Sequence, residues 1–533
     1  MLFNSFEFIF LFLPVCLAGY ALLGRWCHHR AAIAWLVVCS AYYYARWTAP
    51  ELDDWTPRFL LIMLASVGVN FVLGRALIDV QSNPHAGFGA SSDNRDRPRV
   101  LDYARPSTKG FRIALLAAGV LFNFGLLVYF KYTGFFIRST NSLFSAAIPI
   151  PSIILPLAFS FHTFQQHAYL VDAYKGRAGR YSLLDYSLFV LFFPQLLAGP
   201  IVHHHEMLPQ FASHRVGHLR ARHLAVGGSM FVIGLFKKVM LADRVAPFVA
   251  PVFNAAFAGR PLSFGDAWLG ALAFTFQLYF DFSAYSDMAI GVARMLGIRL
   301  PMNFNSPYKS ASMIDFWRRW HMTLSRWLRD YIYIPLGGSR KGEARRWINL
   351  MITMLLGGLW HGAGWTFVFW GGLHGAYLGI NHFWRRITKI RDTTPQNSAL
   401  TTQHFVTHAA SILLTFLAVT FAWVFFQARD FRSAWRIIGS MCGSHGFALK
   451  SQFGDRDEAM LLGLLLAIAW FLPNTQQIMH RFRPALGYFR TRVNPAGVLQ
   501  WRPNLWWAAT LAFGGVLALT HLSVVREFIY YQF

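Results

Sequence analysis

The chain has 533 residues, 55% of them hydrophobic, 17% aromatic and only 14% charged, with a mean hydropathy of +0.36. A water-soluble domain carries about 25% charged residues, so that class is excluded, and apolar runs of bilayer length recurring from end to end indicate an all-α, polytopic membrane protein rather than a β-barrel. The formal net charge of +25 lies in short loops between those runs, a positive-inside pattern that addresses anionic lipid headgroups and not nucleic acid.

Taken in order, candidate spans fall at about 3–23, 31–46, 59–79, 113–131, 150–171, 183–202, 224–242, 266–296, 348–380, 405–427, 459–473 and 505–524. Two further runs, 134–149 and 245–258, read as re-entrant or interfacial, for a total of about 10–14 helices. The N-terminal stretch lacks a basic n-region and a small-residue cleavage site, so it reads as a retained first helix. Cys16, Cys27, Cys39 and Cys442 form no C-x-x-C pair, which argues against a disulfide framework or a zinc site.

Loop charge sets the expected topology. Arg25 and Arg30 flank the first loop, whereas the second carries Glu51, Asp53 and Asp54. The third, from Arg75 to Arg112, adds Arg95, Arg97, Arg99, Arg105 and Lys109. This bias puts the first and third loops inside and the N-terminus outside. The 392–404 segment reads as a loop before the C-terminal spans, and no soluble domain or repeat is visible.

Polar groups interrupt the apolar pattern at a few places. SFHTFQQHAYLVDAYKG covers 160–176, and LLAGPIVHHHEMLPQF covers 196–211 with a helix end at Gly199-Pro200. Asp281 and Asp287 lie within an aromatic helix over 273–297; six residues apart, they fall on different faces and read as packing groups. PMNFNSPYKS at 301–310 is a turn shaped by Asn303 and Asn305.

The stretch 313–375 is the most informative. Over 313–331 the helical period places Trp317, Trp320, Leu324, Trp327, Leu328 and Tyr331 on one face, and Arg318, Arg319, Arg326, Arg329, Asp315 and Asp330 on the other. That pattern predicts an amphipathic helix at the membrane surface, with His321 at the edge of its apolar stripe and arginines suited to phosphate. Arg340, Lys341, Arg345 and Arg346 then mark the cytoplasmic side. A helix from Trp347 to His361 rises about 21 Å, which puts His361 deep in a core about 30 Å thick. Gly357, Gly358, Gly362 and Gly364 permit close backbone approach or a broken helix there. An ionisable group at such depth is either a histidine bonded between helices or an active-site or pathway residue, and desolvation would keep it neutral and able to accept a proton.

Other patterns carry less. The His167 to Asp172 spacing fits H-x4-D, but its flanks are apolar. HEMLP at 205–209 has Pro209 where a second metal-binding histidine would stand. Three consecutive histidines, 203–205, diverge by about 100° each on a helix, so the sequence reads them as a polar loop and predicts no metal. GGSRKGE lacks the Lys-Ser/Thr of a phosphate loop, and no G-x-S-x-G elbow is present.

The run YFDFSAYSDMAIGVARMLG, followed by NFNSPYKSASMIDFWRRWHMTLSRWLRDYIYIPLGG and NLMITMLLGGLWHGAGWTFVFWGGLHG, resembles the membrane-bound O-acyltransferase superfamily, in particular its bacterial alginate O-acetyltransferase branch. MLFNSFEFIFLFLPV and LLAGPIV are similar to the same branch, and HHH at 203–205 departs from it, leaving the lumenal-loop contacts open. The resemblance implies a single membrane domain over 1–533, with helices around a central funnel and tunnel, a catalytic core at about 150–380, N-terminal helices over 1–131 and C-terminal helices over 405–524. It implies His361 of W-H-G and His321 of R-R-W-H as catalytic residues. Arg318, Arg319, Trp317, Trp320, Asn303 and Asn305 would serve the donor. It further implies acetyl-CoA as a transient donor with no permanently bound cofactor, a periplasmic partner protein, a polysaccharide acceptor and location in a bacterial inner membrane with a periplasmic N-terminus. Alginate is the first acceptor it suggests; cellulose and peptidoglycan are alternatives, and D-alanine transfer to teichoic acid belongs to a neighbouring branch. Two other classes stay open on the residues alone: a transporter of a lipid-linked or acylated intermediate using buried Asp and His groups as a proton relay, and a scaffold for polysaccharide export.

Overall fold

Lipid offers no water to satisfy backbone N–H and C=O groups, so apolar runs in it close their hydrogen bonds as helices. The computed structural model describes residues 1–46, 57–82, 106–388, 402–487, 499–522 and 528–529. Among these, helices and their connections account for the structure, and the bridge between Pro301 and Leu486 is the sole strand-like pairing. The acidic second loop (51–54), the third-loop Arg95, Arg97, Arg99 and Arg105, and 392–401 of the predicted 392–404 loop lie outside the described residues.

Five helices among the described residues are long and apolar enough to cross a bilayer: Glu7–Trp26, Arg58–Val80, Lys109–Phe144, Ala221–Phe257 and Val406–Gln427. The protein is therefore multi-pass. Three expected spans are interrupted where the local sequence opposes a helix. Residues 150–158, with Pro151 and Pro156, stay non-helical before helix Phe159–Tyr174. The 183–202 run breaks at Phe192, just before Pro194. The 348–380 run is two helices, Glu343–His361 and Trp365–Ile387, parted by Gly362 and Gly364 in extended conformations.

The chain divides into two compact units. One comprises Val15–Leu197 and Ile201–His218 together with Met1; the other comprises Leu2–Pro14, Ala198–Pro200 and Leu219–Phe533. Within the first, helices Pro57–Ser82 and Pro106–Leu127 are joined by reciprocal amide bonds between buried Asn70 and Asn123, at 3.0 and 2.6 Å. Ser66 meets His162 of helix Phe159–Tyr174 at 2.8 Å. In an apolar interior such paired polar groups hold helices in one register, because an alternative packing would leave them unsatisfied.

The second unit is built on helix Phe264–Met295, whose 32 residues extend roughly 48 Å. Ser263 and Asp266 close its N-terminus as a capping box. Its 278–296 stretch is buried on every side, which is why the sequence there shows no polar face. It lies against helix Ala221–Phe236 so closely that a Cβ on Gly227 would collide with the Gly291 carbonyl. Two of its three buried aspartates, Asp281 and Asp287, are matched by consecutive lysines from a π-helical turn, Lys237–Ala242. Lys238 bridges Asp281 at 2.9 Å and Asp243 at 2.8 Å, and Lys237 bridges Asp287 at 2.8 Å. Asp287 also accepts from Thr475, and Asp281 from the Ile529 amide. The aspartates are thus charge-matched packing groups.

The surface helix expected over 313–331 is not formed. Helix Met313–Trp317 ends in a turn, His321 adopts a left-handed φ of 41°, and helix Met322–Leu328 begins after it. The apolar stripe faces protein rather than lipid: Trp320, Leu324 and Trp327 are each 1% exposed. Trp320 packs among Phe316, Tyr308, Phe304 and Trp423, whose rings fill the space a membrane would otherwise occupy.

Candidate active site

Helices Glu343–His361 and Trp365–Ile387 form an antiparallel hairpin. They approach so closely that a Cβ on Gly358 would strike the Phe367 carbonyl, and one on Gly371 the Met354 carbonyl. Arg345, Arg346, Arg385 and Arg386 gather at the open end, where Arg386 pairs with Glu343. His361 is the last residue of its helix, 18 residues from Glu343 and so roughly 27 Å along the axis from the basic end. Its imidazole is 4% exposed and sits between aromatic rings: Trp360 at 4.9 Å, Trp370 at 5.2 Å and Phe426 at 5.3 Å between centroids.

The left-handed turn at His321 drives its side chain inward, to full burial. A non-glycine residue in that conformation costs on the order of 1 kcal/mol. The compensation is visible: Asn303 Oδ1 lies 3.0 Å from His321 Nδ1 and accepts from the Thr323 hydroxyl at 3.0 Å, while the Asn303 carbonyl accepts from the Met322 amide at 2.9 Å. The Asn303 amide in turn donates to Ser286 at 3.3 Å. An amide oxygen only accepts, so His321 carries its proton at Nδ1 and its Nε2 holds the lone pair. The rings of His321 and His361 are 6.5 Å apart. Two imidazoles at this separation can address one reacting hydroxyl or carbonyl between them.

A cavity of about 640 Å³ is lined by Met322 and Thr323, the residues that follow His321, though by neither histidine of the pair. Trp317, Arg318, Arg326 and Arg329 line it from the 313–331 segment, and Thr353, Met354 and His382 from the hairpin. Thr323 also lines it, and Thr323 shares the Asn303 oxygen with His321. Met354 lies seven residues before His361, roughly 10 Å along the helix. The guanidinium groups suit an anionic ligand, and the cavity volume falls in the range of small-molecule sites.

A profile of MBOAT, the membrane-bound O-acyltransferase family, matches residues 155–418. The chain is 40% identical over 476 residues to the peptidoglycan O-acetyltransferase of Helicobacter pylori, covering 84% of this chain and 81% of that protein. It is 34% identical to "Probable alginate O-acetylase AlgI" of Pseudomonas putida over the whole of both chains. It is also 29% identical to the teichoic acid D-alanyltransferase of Streptococcus thermophilus over 52% of this chain and 69% of that one. The chain belongs to the membrane-bound O-acyltransferase family. It is an acyltransferase of the alginate O-acetylase branch, as its motifs indicate.

Within this MBOAT protein the residues singled out from sequence occupy distinct places. His321 and His361 meet at the site just described. Trp317 and Arg318 line the cavity, Arg318 exposed. Arg319 forms an ion pair with Asp315 at 2.9 Å, and Trp320 is enclosed by rings. Asn303 acts through His321, and Asn305 holds the turn by accepting from Asn474 at 3.0 Å while its amide donates to the Arg319 carbonyl at 2.9 Å.

Sequence reasoning missed three contributors. Trp423 and Phe426, from helix Thr402–Gln427, complete the aromatic wall around Trp370 and His361, although they lie outside the 150–380 core. His374, 4.7 Å from Trp370 between ring centroids, is fully buried in the same wall. Neither of its ring nitrogens has a hydrogen-bond partner among the described residues. The signal for His374 was present: an imidazole four residues after Trp370, hence on the same helical face.

Proposed function

We propose that this MBOAT protein is an O-acetyltransferase of a bacterial inner membrane, with its N-terminus periplasmic, that takes an acetyl group from cytoplasmic acetyl-CoA and delivers it for ester formation on a polysaccharide hydroxyl. The arginine-lined cavity receives the nucleotide phosphates of the donor and directs the thioester towards the histidine pair. An acceptor hydroxyl oxygen attacks the thioester carbonyl carbon, and His361 takes the hydroxyl proton. The carbon–sulfur bond breaks as the ester forms, and the proton passes to the departing CoA thiolate. His321, fixed by Asn303, orients the thioester. Holding both reactants in a water-poor site removes several kcal/mol from the barrier. Where that first acceptor is not the polymer itself, a periplasmic partner protein completes the transfer. A polymer hydroxyl attacks the ester carbonyl carbon, the second ester forms as the first C–O bond breaks, and the first hydroxyl is released with the proton.

The observation that carries this reading is the sharing of Asn303 by His321 and the cavity residue Thr323, which connects an arginine-lined cavity to a buried imidazole. Alginate or an alginate-like exopolysaccharide is the first acceptor, in keeping with the full-length relative named for alginate O-acetylation. Peptidoglycan is the second, favoured by the 40% identity to the relative named for its acetylation. The proton-relay transporter reading loses support because Asp281 and Asp287 are paired with Lys238 and Lys237. The test uses membranes supplied with radiolabelled acetyl-CoA and either acceptor. Label should reach the polysaccharide with the wild type and not with His361→Ala at equal protein level; unchanged transfer by that variant would end the assignment.

A further inference from the structure

The three consecutive histidines do not form the plain polar loop that the sequence suggested. His203 is the extended N-cap of helix His204–Phe211, with φ −101° and ψ 149°, so the strict helical divergence does not apply to it. The rings of His203 and His205 lie side by side, 5.3 Å apart and 22° from parallel, while His204 stands at 89° to His205. Asp172, from the last turn of helix Phe159–Tyr174, is brought against them. One donor atom from each of Asp172, His203 and His205 lies within 4.8 Å of the other two. His204 Nδ1 is 3.6 Å from the same carboxylate, and its Nε2 is 3.4 Å from the Arg177 carbonyl. His167, five residues before Asp172, meets the edge of Phe124.

We propose that Asp172, His203 and His205 bind a divalent first-row transition-metal ion, zinc foremost. Two imidazole nitrogens and one carboxylate oxygen are the donor set of three-ligand zinc sites with one position left for water. Calcium and magnesium call for six or more oxygen donors, which this cluster does not supply. Zinc bonds of about 2.1 Å at tetrahedral angles put ligand atoms about 3.4 Å apart, so the cluster closes by at most about 1.4 Å on binding. His205 is exposed and makes that movement without unpacking the interior, whereas Asp172 and His203 are 5% and 4% exposed and hold their places. His204 packs behind the carboxylate, its Nδ1 3.6 Å away and beyond hydrogen-bond distance. The ion ties the end of helix Phe159–Tyr174 to the start of helix His204–Phe211 and so acts as a staple; none of its ligands belongs to the His321–His361 pair.

The test uses the full chain purified in detergent with a histidine-free tag, stripped with chelator and dialysed against micromolar zinc. Metal analysis should find about one zinc per chain in the wild type and in His214→Gln, whose ring meets His29 at 5.0 Å away from the cluster. Zinc should fall to background in His205→Gln and Asp172→Asn, and zinc should raise the melting temperature of the wild type but not of His205→Gln. Because His205 is exposed, the metal-free His205→Gln protein should melt with the metal-free wild type, which separates metal loss from misfolding. No retained zinc in the wild type, or equal zinc in wild type and His205→Gln, would overturn the proposal.

Discussion

His321 and His361 come from segments forty residues apart, yet their rings meet edge-on with centroids 6.5 Å apart. One arrives by a strained left-handed turn and the other by the end of a helix. The pairing makes His321 useful only while Asn303 accepts its Nδ1 proton, because that bond keeps the lone pair on Nε2. Asn303→Ala removes the acceptor from both His321 and Thr323. It should cost about 1–3 kcal/mol of stability and lower kcat about tenfold or more, whereas Asn303→Asp, which keeps the oxygen, should restore most of the activity. Equal kcat in wild type and Asn303→Ala would show that His321 needs no orienting partner.

His374 gives a different split between stability and activity. Its two buried nitrogens lack protein hydrogen bonds among the described residues, a state that costs about 1–3 kcal/mol per group. His374→Phe fits the surrounding aromatic wall and should leave the melting temperature unchanged or higher. If the imidazole is kept for the reaction, the same variant should lose acetyl transfer by about tenfold or more. Full activity in a stable His374→Phe protein would reduce this residue to packing.

Arg318 and Arg326 line the cavity beside the segment that carries His321. Each charge-assisted bond to a donor phosphate contributes about 1.5–3 kcal/mol. Arg318→Gln and Arg326→Gln should therefore raise KM for acetyl-CoA about tenfold or more, with kcat nearly unchanged. Kinetics at several donor concentrations separate the two parameters. A fall in kcat at constant KM would place these arginines outside donor binding.

Lys238 holds two carboxylates in a buried setting at 4% exposure. Lys238→Met leaves Asp281 and Asp243 uncompensated and should destabilise by about 3–5 kcal/mol, seen as lost yield and a lower unfolding temperature in detergent. Adding Asp281→Asn should recover part of that loss, since the second change removes a stranded charge. No recovery would mean that the lysine stabilises by packing alone.

Much of this protein was determined by composition and local pattern. The apolar runs specify helices because lipid leaves the backbone no other partner, and the motifs around His321 and His361 specify the acyltransferase family. Local periodicity failed over 313–331 because amphipathicity reports which face is apolar and not what covers it; there the cover is Phe316, Tyr308 and Trp423 rather than lipid. Tertiary structure alone decided that Lys237 and Lys238 answer Asp287 and Asp281, and that Asn303 serves His321. It alone brought Asp172 to the histidines at 203–205. The reason is common to all three: these pairings join residues 18 to 50 apart in the chain, and a helical period links only neighbours three or four residues apart.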